Sequence, residues 1–397
     1  MKIVHYCQHV LGLGHFMRSL AVAEALSGHD VIFVTGGPDV GYSFPPHVRQ
    51  VRLPALEMDE EFKTLRASDS DTDSSFSIEA LQDERKRLLW NVFESERPDV
   101  FLVELYPFGR KRFEFELLPV LEAIREDRFG PCVAISSLRD ILVEKTDQAK
   151  FERRVIDRLG RYFDALVVHS DDRVFSLRQT FSRCNDIPIP VVSSGFVAKE
   201  ADPTSRNRIR TALGLGEHDG LVVASAGGGK VGGPLMSAVV DAFLDPSFDP
   251  SVSLHIFTGP FLDDSHYDAL THRVHGHKRI HIERFTDDFL GYLCAADVCV
   301  SMAGYNTMMN ILSARVPAVV WPFDQNREQR FRAERFATMW PLTVLPKGEL
   351  NARTLAQAIG TRLNDSRPDP TSINLDGAKQ TAQYIVESTA ELIRRRV

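Results

Sequence analysis

Cysteine is scarce in this chain: five residues in 397, at positions 7, 132, 184, 294 and 299, with no Cys-x-x-Cys pair. So odd and scattered a set argues against a disulfide framework and fits a reducing compartment. Basic runs are equally thin. The formal net charge is −7, and Arg110-Lys111-Arg112 and Arg394-Arg395-Arg396 are short. A duplex-binding protein needs a broad basic stripe to neutralise phosphates, so nucleic acid is not an expected partner. No apolar window reaches the length of a membrane span. The chain opens directly on the strand-like Lys2-Ile3-Val4-His5-Tyr6 without the pattern of a secretory leader, so a cytoplasmic protein is expected, with room for peripheral membrane contact.

What is present is ordinary globular material, 43% hydrophobic and 25% charged. The length calls for two domains. Short apolar runs at Ile3–Cys7, Val31–Val34, Val100–Val103, Cys132–Ile135 and Leu166–Val168 read as buried strands, with a helix over His15–Leu26 between the first two. The second half repeats the plan at Leu221–Ala224, Leu254–Phe257, Asp297–Val300 and Ala318–Trp321. Both halves predict α/β folds with open, doubly wound parallel sheets, whose ligands bind beyond the carboxyl ends of the strands. The expected domains are 1–194 and 195–376, facing a central cleft, with a C-terminal helix over 377–397 packing back on the first. The polar, acidic segment Ala67–Ser77 is expected to be a mobile surface loop.

Three strand-to-helix loops carry chemistry. Gly12-Leu13-Gly14-His15 follows the first strand. Its glycines allow a tight turn toward a helix N-terminus. A dinucleotide reading fails because Met17 stands where a third glycine is required and the second strand ends in Thr35-Gly36-Gly37, without the ribose-binding acid. His15 is open between a helix-capping or core histidine and a reactive one. Gly227-Gly228-Gly229-Lys230 offers backbone N–H groups to an oxyanion, or is a structural turn, and lacks the Gly-Lys-Ser/Thr ending of an ATPase. Gly304-Tyr305-Asn306-Thr307 presents a hydroxyl and N–H groups at a helix start. Asp324, Gln325 and Gln329, after a later strand, suit sugar hydroxyls. The histidines at 272, 275, 277 and 281 have no cysteine or carboxylate to complete a metal shell, so a surface loop leading into a strand is expected and no metal site is assigned.

Together these residues resemble the GT-B glycosyltransferases, in particular family 28, the MurG type. The likeness is densest in Gly12–Leu20 and from Gly304 through Pro317, Pro322, Asp324 and Gln325. The first stretch is equally similar to the nucleotide-sugar hydrolases of pseudaminic acid synthesis, and the second to the plant secondary-product transferase box. The resemblance implies two Rossmann-like domains, a UDP-sugar as donor and no cofactor or metal. It implies that Gly227, Gly228, Gly229 and Thr307 hold the diphosphate, with Gly304 and Asn306 in the same loop. Phe285 and Thr286, followed by Asp287, would border the nucleobase, and Asp324, Gln325 and Gln329 would contact the sugar. Two positions depart from the family: Asn310 stands where a ribose-binding glutamate is usual, and Met302 replaces the phosphate-contacting histidine of the plant box. Pro107-Phe108-Gly109-Arg110 and Glu114–Pro119 resemble a subset of bacterial predicted glycosyltransferases.

The chemistry so implied is transfer of the sugar to an acceptor hydroxyl or amine, with inversion following from the likeness. The partners would be a nucleotide-sugar donor and a small-molecule, lipid-linked or glycan acceptor. A general base is needed. His15 is the candidate, with Glu104 at the end of the strand Val100–Val103 assisting or orienting it. A nucleotide-sugar hydrolase using the same donor site and a non-catalytic binding module are the competing readings.

Overall fold

The structure, a computed structural model, describes residues 1–9, 14–37, 41–58, 65–67, 77–142, 145–216, 218–323, 327–369 and 373–395. The chain divides into two compact units, Met1–Val197 with Asn374–Val397, and Ala198–Ile373.

In the first unit the strands are β1 (Lys2–Cys7), β2 (Asp30–Thr35), β3 (Val48–Arg52), a small antiparallel pair β4 (Leu56–Met58) and β5 (Leu65–Ala67), then β6 (Val100–Glu104), β7 (Val133–Arg139), β8 (Ala165–His169) and β9 (Val191–Ser193). All but the small pair form one parallel sheet in the order β3-β2-β1-β6-β7-β8-β9. The helices are α1 (Gly14–Ala25), α2 (Ile78–Glu96), α3 (Glu114–Arg125) and α4 (Gln148–Tyr162). Central strands are buried along nearly their whole length. Helices on both faces demand this, and it is why these strands read as unbroken apolar runs. One face packs Val4, Tyr6, Phe93, Phe101 and Leu117. The other packs Ile3, Cys7, Phe16, Leu20, Ile385 and Leu392.

In the second unit the helices are α5 (Ser205–Ala212), α6 (Gly233–Leu244), α7 (Asp264–Arg273), α8 (Phe289–Ala295), α9 (Tyr305–Ala314), α10 (Arg327–Ala337) and α11 (Ala352–Leu363). The strands β10 (Gly220–Ser225), β11 (Val252–Phe257), β12 (Ile280–Glu283), β13 (Val298–Ser301), β14 (Ala318–Val320) and β15 (Leu342–Val344) form a parallel sheet ordered β12-β11-β10-β13-β14-β15. The last helix, α12 (Gly377–Arg394), belongs to the first unit, where its Ile385 and Leu392 join the core beside α1. The expectation of two doubly wound α/β units holds. The expected loop residues 68–76 lie outside the described residues. Among those described, no helix is long and apolar enough to cross a membrane.

Each sheet reverses its strand order once, between β1 and β6 and between β10 and β13. Such switch points leave a crevice at the carboxyl ends of two neighbouring strands, where ligands of doubly wound sheets bind.

Candidate functional site

At the first switch point, β1 and β6 pair in register through Tyr6 and Val103. The segment after β1 leads into α1, whose first residues are Gly14 and His15, and β6 ends on Glu104. His15 and Glu104, 89 residues apart in sequence, thereby meet: Nδ1 of His15 lies 2.6 Å from Oε1 of Glu104. Arg18, one helical turn after His15, donates to the same oxygen at 2.7 Å. Its Nη2 also lies 3.2 Å from Nδ1 of His15. A guanidinium only donates and a carboxylate only accepts, so Nδ1 carries a proton for Glu104 and the Arg18 contact to it is mere proximity. The imidazole therefore presents Nε2 as its lone-pair nitrogen. That atom has no hydrogen bond among the described residues, and the side chain is 17% exposed.

Burial pushes the His15 imidazole down to about 4, against the opposing pull of Glu104. Burial alone would raise the Glu104 carboxyl, but His15, Arg18 and Arg110 outweigh it and hold it well below the usual carboxylate range. The result is a neutral imidazole oriented by a fixed anion. Two further histidines lie in the same core. Burial pushes His5, in β1, and His169, at the end of β8, down to about 3. His169 is held by Ser137 Oγ at 2.7 Å and Ser194 Oγ at 3.1 Å, so it is a satisfied core residue.

Beside the end of β1, Arg85 of α2 is wholly buried. Its Nε and Nη2 donate to both oxygens of Glu116, at 2.8 and 2.6 Å. Nη2 also reaches Gln8 Oε1 at 2.6 Å, and Nη1 donates to the carbonyls of Gly36 and Pro54 at 3.1 and 2.6 Å. The Tyr6 hydroxyl donates to Glu116 as well. This network fixes the ends of β1 and β2. A side chain on Gly36 would overlap Gln8 and Arg85.

At the second switch point Ser225 of β10 pairs with Ser301 of β13, and each strand runs into one of the expected anion loops. Gly227 and Gly229 have φ of 64° and 93°, left-handed values that favour glycine. Gly228 and Lys230 are exposed. The loop packs on Gly259, where a Cβ would come within 2.5 Å of Gly227 O, Gly228 C and Gly229 N. Neither backbone segment tolerates a side chain at that crossing. At α9, Gly304 occupies the N-cap and provides no side-chain bond to the first-turn N–H groups. Asn306, Thr307 and Asn310 are half-buried, and none makes a side-chain hydrogen bond among the described residues. Among the described residues no side chain caps this helix start, whose first-turn N–H groups and dipole favour an anion.

The remaining expected residues are less concentrated. Phe285 is 62% exposed, and Thr286 accepts a bond from the N–H of Asp288, which in turn caps α8. Gln329 uses its carbonyl oxygen to accept from the N–H of Phe323 at 3.2 Å, which supports the strand end and leaves its NH2 group for a ligand. Gly12, Asp324 and Gln325 lie outside the described residues. His272 sits in the last turn of α7 and His281 in β12. Among the described residues no group of His, Cys, Asp and Glu is placed to hold a metal ion. Two residues around His15, Arg18 and Arg110, received no site role from the sequence. Arg18 was legible from its one-turn spacing, whereas Arg110 arrives from an irregular loop that no periodicity marks.

Comparison with known proteins agrees with this layout. Residues 251–387 match the glycosyltransferase family 28 C-terminal domain. An uncharacterised glycosyltransferase of Methanosarcina acetivorans is 24% identical over 332 residues, covering 81% of this chain and 80% of that protein. The UDP-N-acetylglucosamine--N-acetylmuramyl-(pentapeptide) pyrophosphoryl-undecaprenol N-acetylglucosamine transferase of Carboxydothermus hydrogenoformans is 28% identical over 149 residues, 36% of this chain and 38% of that protein. In fold, the crystal structure of Acinetobacter baumannii MurG superposes with a TM-score of 0.55 at 15% identity, covering 98% of this chain and 100% of that one. Residues 251–387 thus resemble a family 28 glycosyltransferase C-terminal domain, in a chain with the fold of the GT-B glycosyltransferases.

Proposed function

We propose that this protein is a glycosyltransferase that moves a sugar from a UDP-sugar to an acceptor hydroxyl or amine, with inversion and without a metal or other cofactor, and that it works in the cytoplasm. The observation that carries the reading is the His15–Glu104 pair, which aims a proton at Glu104 and leaves Nε2 of a neutral imidazole free. Nε2 takes the proton of the acceptor as its nucleophilic atom bonds to the anomeric carbon. The bond from that carbon to the β-phosphate oxygen breaks, and its electron pair leaves with UDP. Glu104 then faces an imidazolium, which it stabilises.

Inversion is supported by the commitment of Glu104. Buried and bound to His15 and Arg18, it is no nucleophile for a double displacement. Charge on the departing diphosphate would be met by the Gly227–Gly229 amides and the start of α9, with Thr307 at hand. Such preorganised donors stabilise developing charge without a metal. Uridine is supported by the donor named for the Carboxydothermus relative. The cytoplasm is supported by five free cysteines, four of them buried.

The fate of the sugar tests the proposal. UDP and a glycosylated product should form only when an acceptor-containing extract is added to protein and UDP-sugar, and at an unchanged rate in EDTA. Free sugar released equally fast from UDP-sugar alone would identify a hydrolase instead. Activity lost in EDTA and restored by manganese would overturn the metal-free reading.

Asn310 gives a separate check on the donor site. It lies three residues after Thr307 on the same face of α9. A glutamate there could accept from both ribose hydroxyls as an ion, whereas asparagine offers one acceptor oxygen. Asn310→Glu is expected to tighten UDP binding about fivefold, roughly 1 kcal/mol. Titration calorimetry on both proteins reads this directly, and unchanged or weaker binding would remove that helix face from the ribose site.

A further inference from the structure

The Arg110 side chain is largely buried and makes no hydrogen bond among the described residues. It is 8% exposed, and Nε stands 4.0 Å from Glu104 Oε2, too far to bond. Both of those atoms are buried and without a partner among the described residues. Its Nη groups have no hydrogen-bond partner among the described residues either and, unlike Nε, are not fully buried. Arg85, in the same unit, uses Nε and both Nη groups in five bonds. Buried polar groups are nearly always satisfied, and a buried charge left unpaired is costly.

The loop that brings Arg110 here is rigidly built. Leu105 and Arg110 both hold left-handed φ, 65° and 58°, which non-glycine residues adopt only when the surroundings impose it. The N–H of Gly109 donates to Leu105 O at 2.8 Å, and a Cβ on Gly109 would strike the Leu105 side chain. Phe108 and Phe113, on either side, are core residues. The charge so placed acts on Tyr6, Cys7, His15 and Glu104. Of these only Glu104 is an anion, and Arg18 already bonds it. Glu116, which also acts on Tyr6, is bonded by Arg85. Among the described residues the Arg110 guanidinium thus has no hydrogen-bond partner, and its charge is felt by both His15 and Glu104.

We infer that Arg110 binds an anionic group, phosphate or carboxylate, carried by the acceptor, so that the acceptor is an anionic hydroxyl or amino compound held with its nucleophile at His15. A guanidinium with a free edge suits such a group bidentately. The identification of the ligand as the acceptor rests on His15 being the base. The anion site itself does not.

Inorganic phosphate is the probe, added to the full-length protein while the His15 ring resonances are followed by NMR at constant ionic strength against chloride. Saturable movement of the His15 signals is expected in the wild type. It should weaken roughly tenfold or vanish in Arg110→Gln, and survive in part in Arg110→Lys. Unmoved signals in the wild type, or equal movement in Arg110→Gln with a wild-type melting curve, would overturn the inference. UDP affinity should be the same in the wild type and Arg110→Gln. A weaker UDP complex would assign the anion to the donor and also overturn it. If His15→Ala instead keeps full turnover, the base reading fails while the phosphate titration still reports on Arg110.

Discussion

Replacing His15 with alanine is expected to lower turnover about a hundredfold to ten-thousandfold, with UDP affinity unchanged. The split follows from the fold: His15 belongs to the first unit, while the residues proposed to hold UDP belong to the second. The pH profile adds a signature that a structural histidine would not give. A base acts when deprotonated, so activity rises with pH through the imidazole's pKa. Because burial pushes His15 down to about 4, kcat/KM should be flat above about pH 5 and fall only below it, whereas an ordinary imidazole would place that limb near 6.5. Stability must be followed alongside. A histidine with a lowered folded pKa binds its proton more readily when unfolded, so stability falls as pH drops from about 6.5 toward the folded values, about 4 for His15 and about 3 for His5 and His169. Circular dichroism at each pH separates the two losses. Most of the wild-type rate surviving in His15→Ala, or an acid limb near 6.5 in a folded protein, would remove His15 from the base role.

The sheets were legible where burial made them so. β1, β2, β6, β10 and β11 are covered on both faces and stand out as apolar runs. β3, β9 and β15 are edge strands and gave no such signal. Val48–Arg52 is the half-polar VRQVR, while Val191–Ser193 and Leu342–Val344 are three residues each, directly after Pro190 and Pro341. Glycine loops mark the switch points because the chain must turn tightly there. That His15 meets Glu104 depends on β6 lying beside β1, a fact of topology that no local pattern carries. Arg85 is hidden for a different reason. It lies in IEALQDERKRLLW among charged neighbours that face solvent, and only the packing of α2 separates it from them. The same applies to Arg110, whose position is set by two left-handed residues in an irregular loop.

Arg85→Met is expected to be the most destabilising of the substitutions considered, by about 3–5 kcal/mol. Methionine roughly fills the space but removes all five donated bonds. Glu116 is wholly buried and would keep only the Tyr6 hydroxyl, and the Pro54 carbonyl would lose the Arg85 donor, while that of Gly36 would keep the Gln8 amide and the Leu56 N–H. An uncompensated buried carboxylate is the larger part of the cost, because it cannot regain water. At roughly 2–4 °C per kcal/mol, the transition of the first unit should fall by about 6–20 °C. The partner variant identifies the cause. In Arg85→Met with Glu116→Leu the buried charge is gone from both sides, and exchanging a buried ion pair for apolar side chains is often close to neutral. The double variant should therefore melt well above Arg85→Met, although below the wild type, since Gln8 and the Pro54 carbonyl remain without Arg85. Because Gln8 and Gly36 sit at the ends of β1 and β2, both variants should also loosen the backbone there, and faster amide exchange in β1 would show it. A loss under about 1 kcal/mol in Arg85→Met, or a double variant no more stable than the single one, would mean that the charge pair does not carry the stability of this corner.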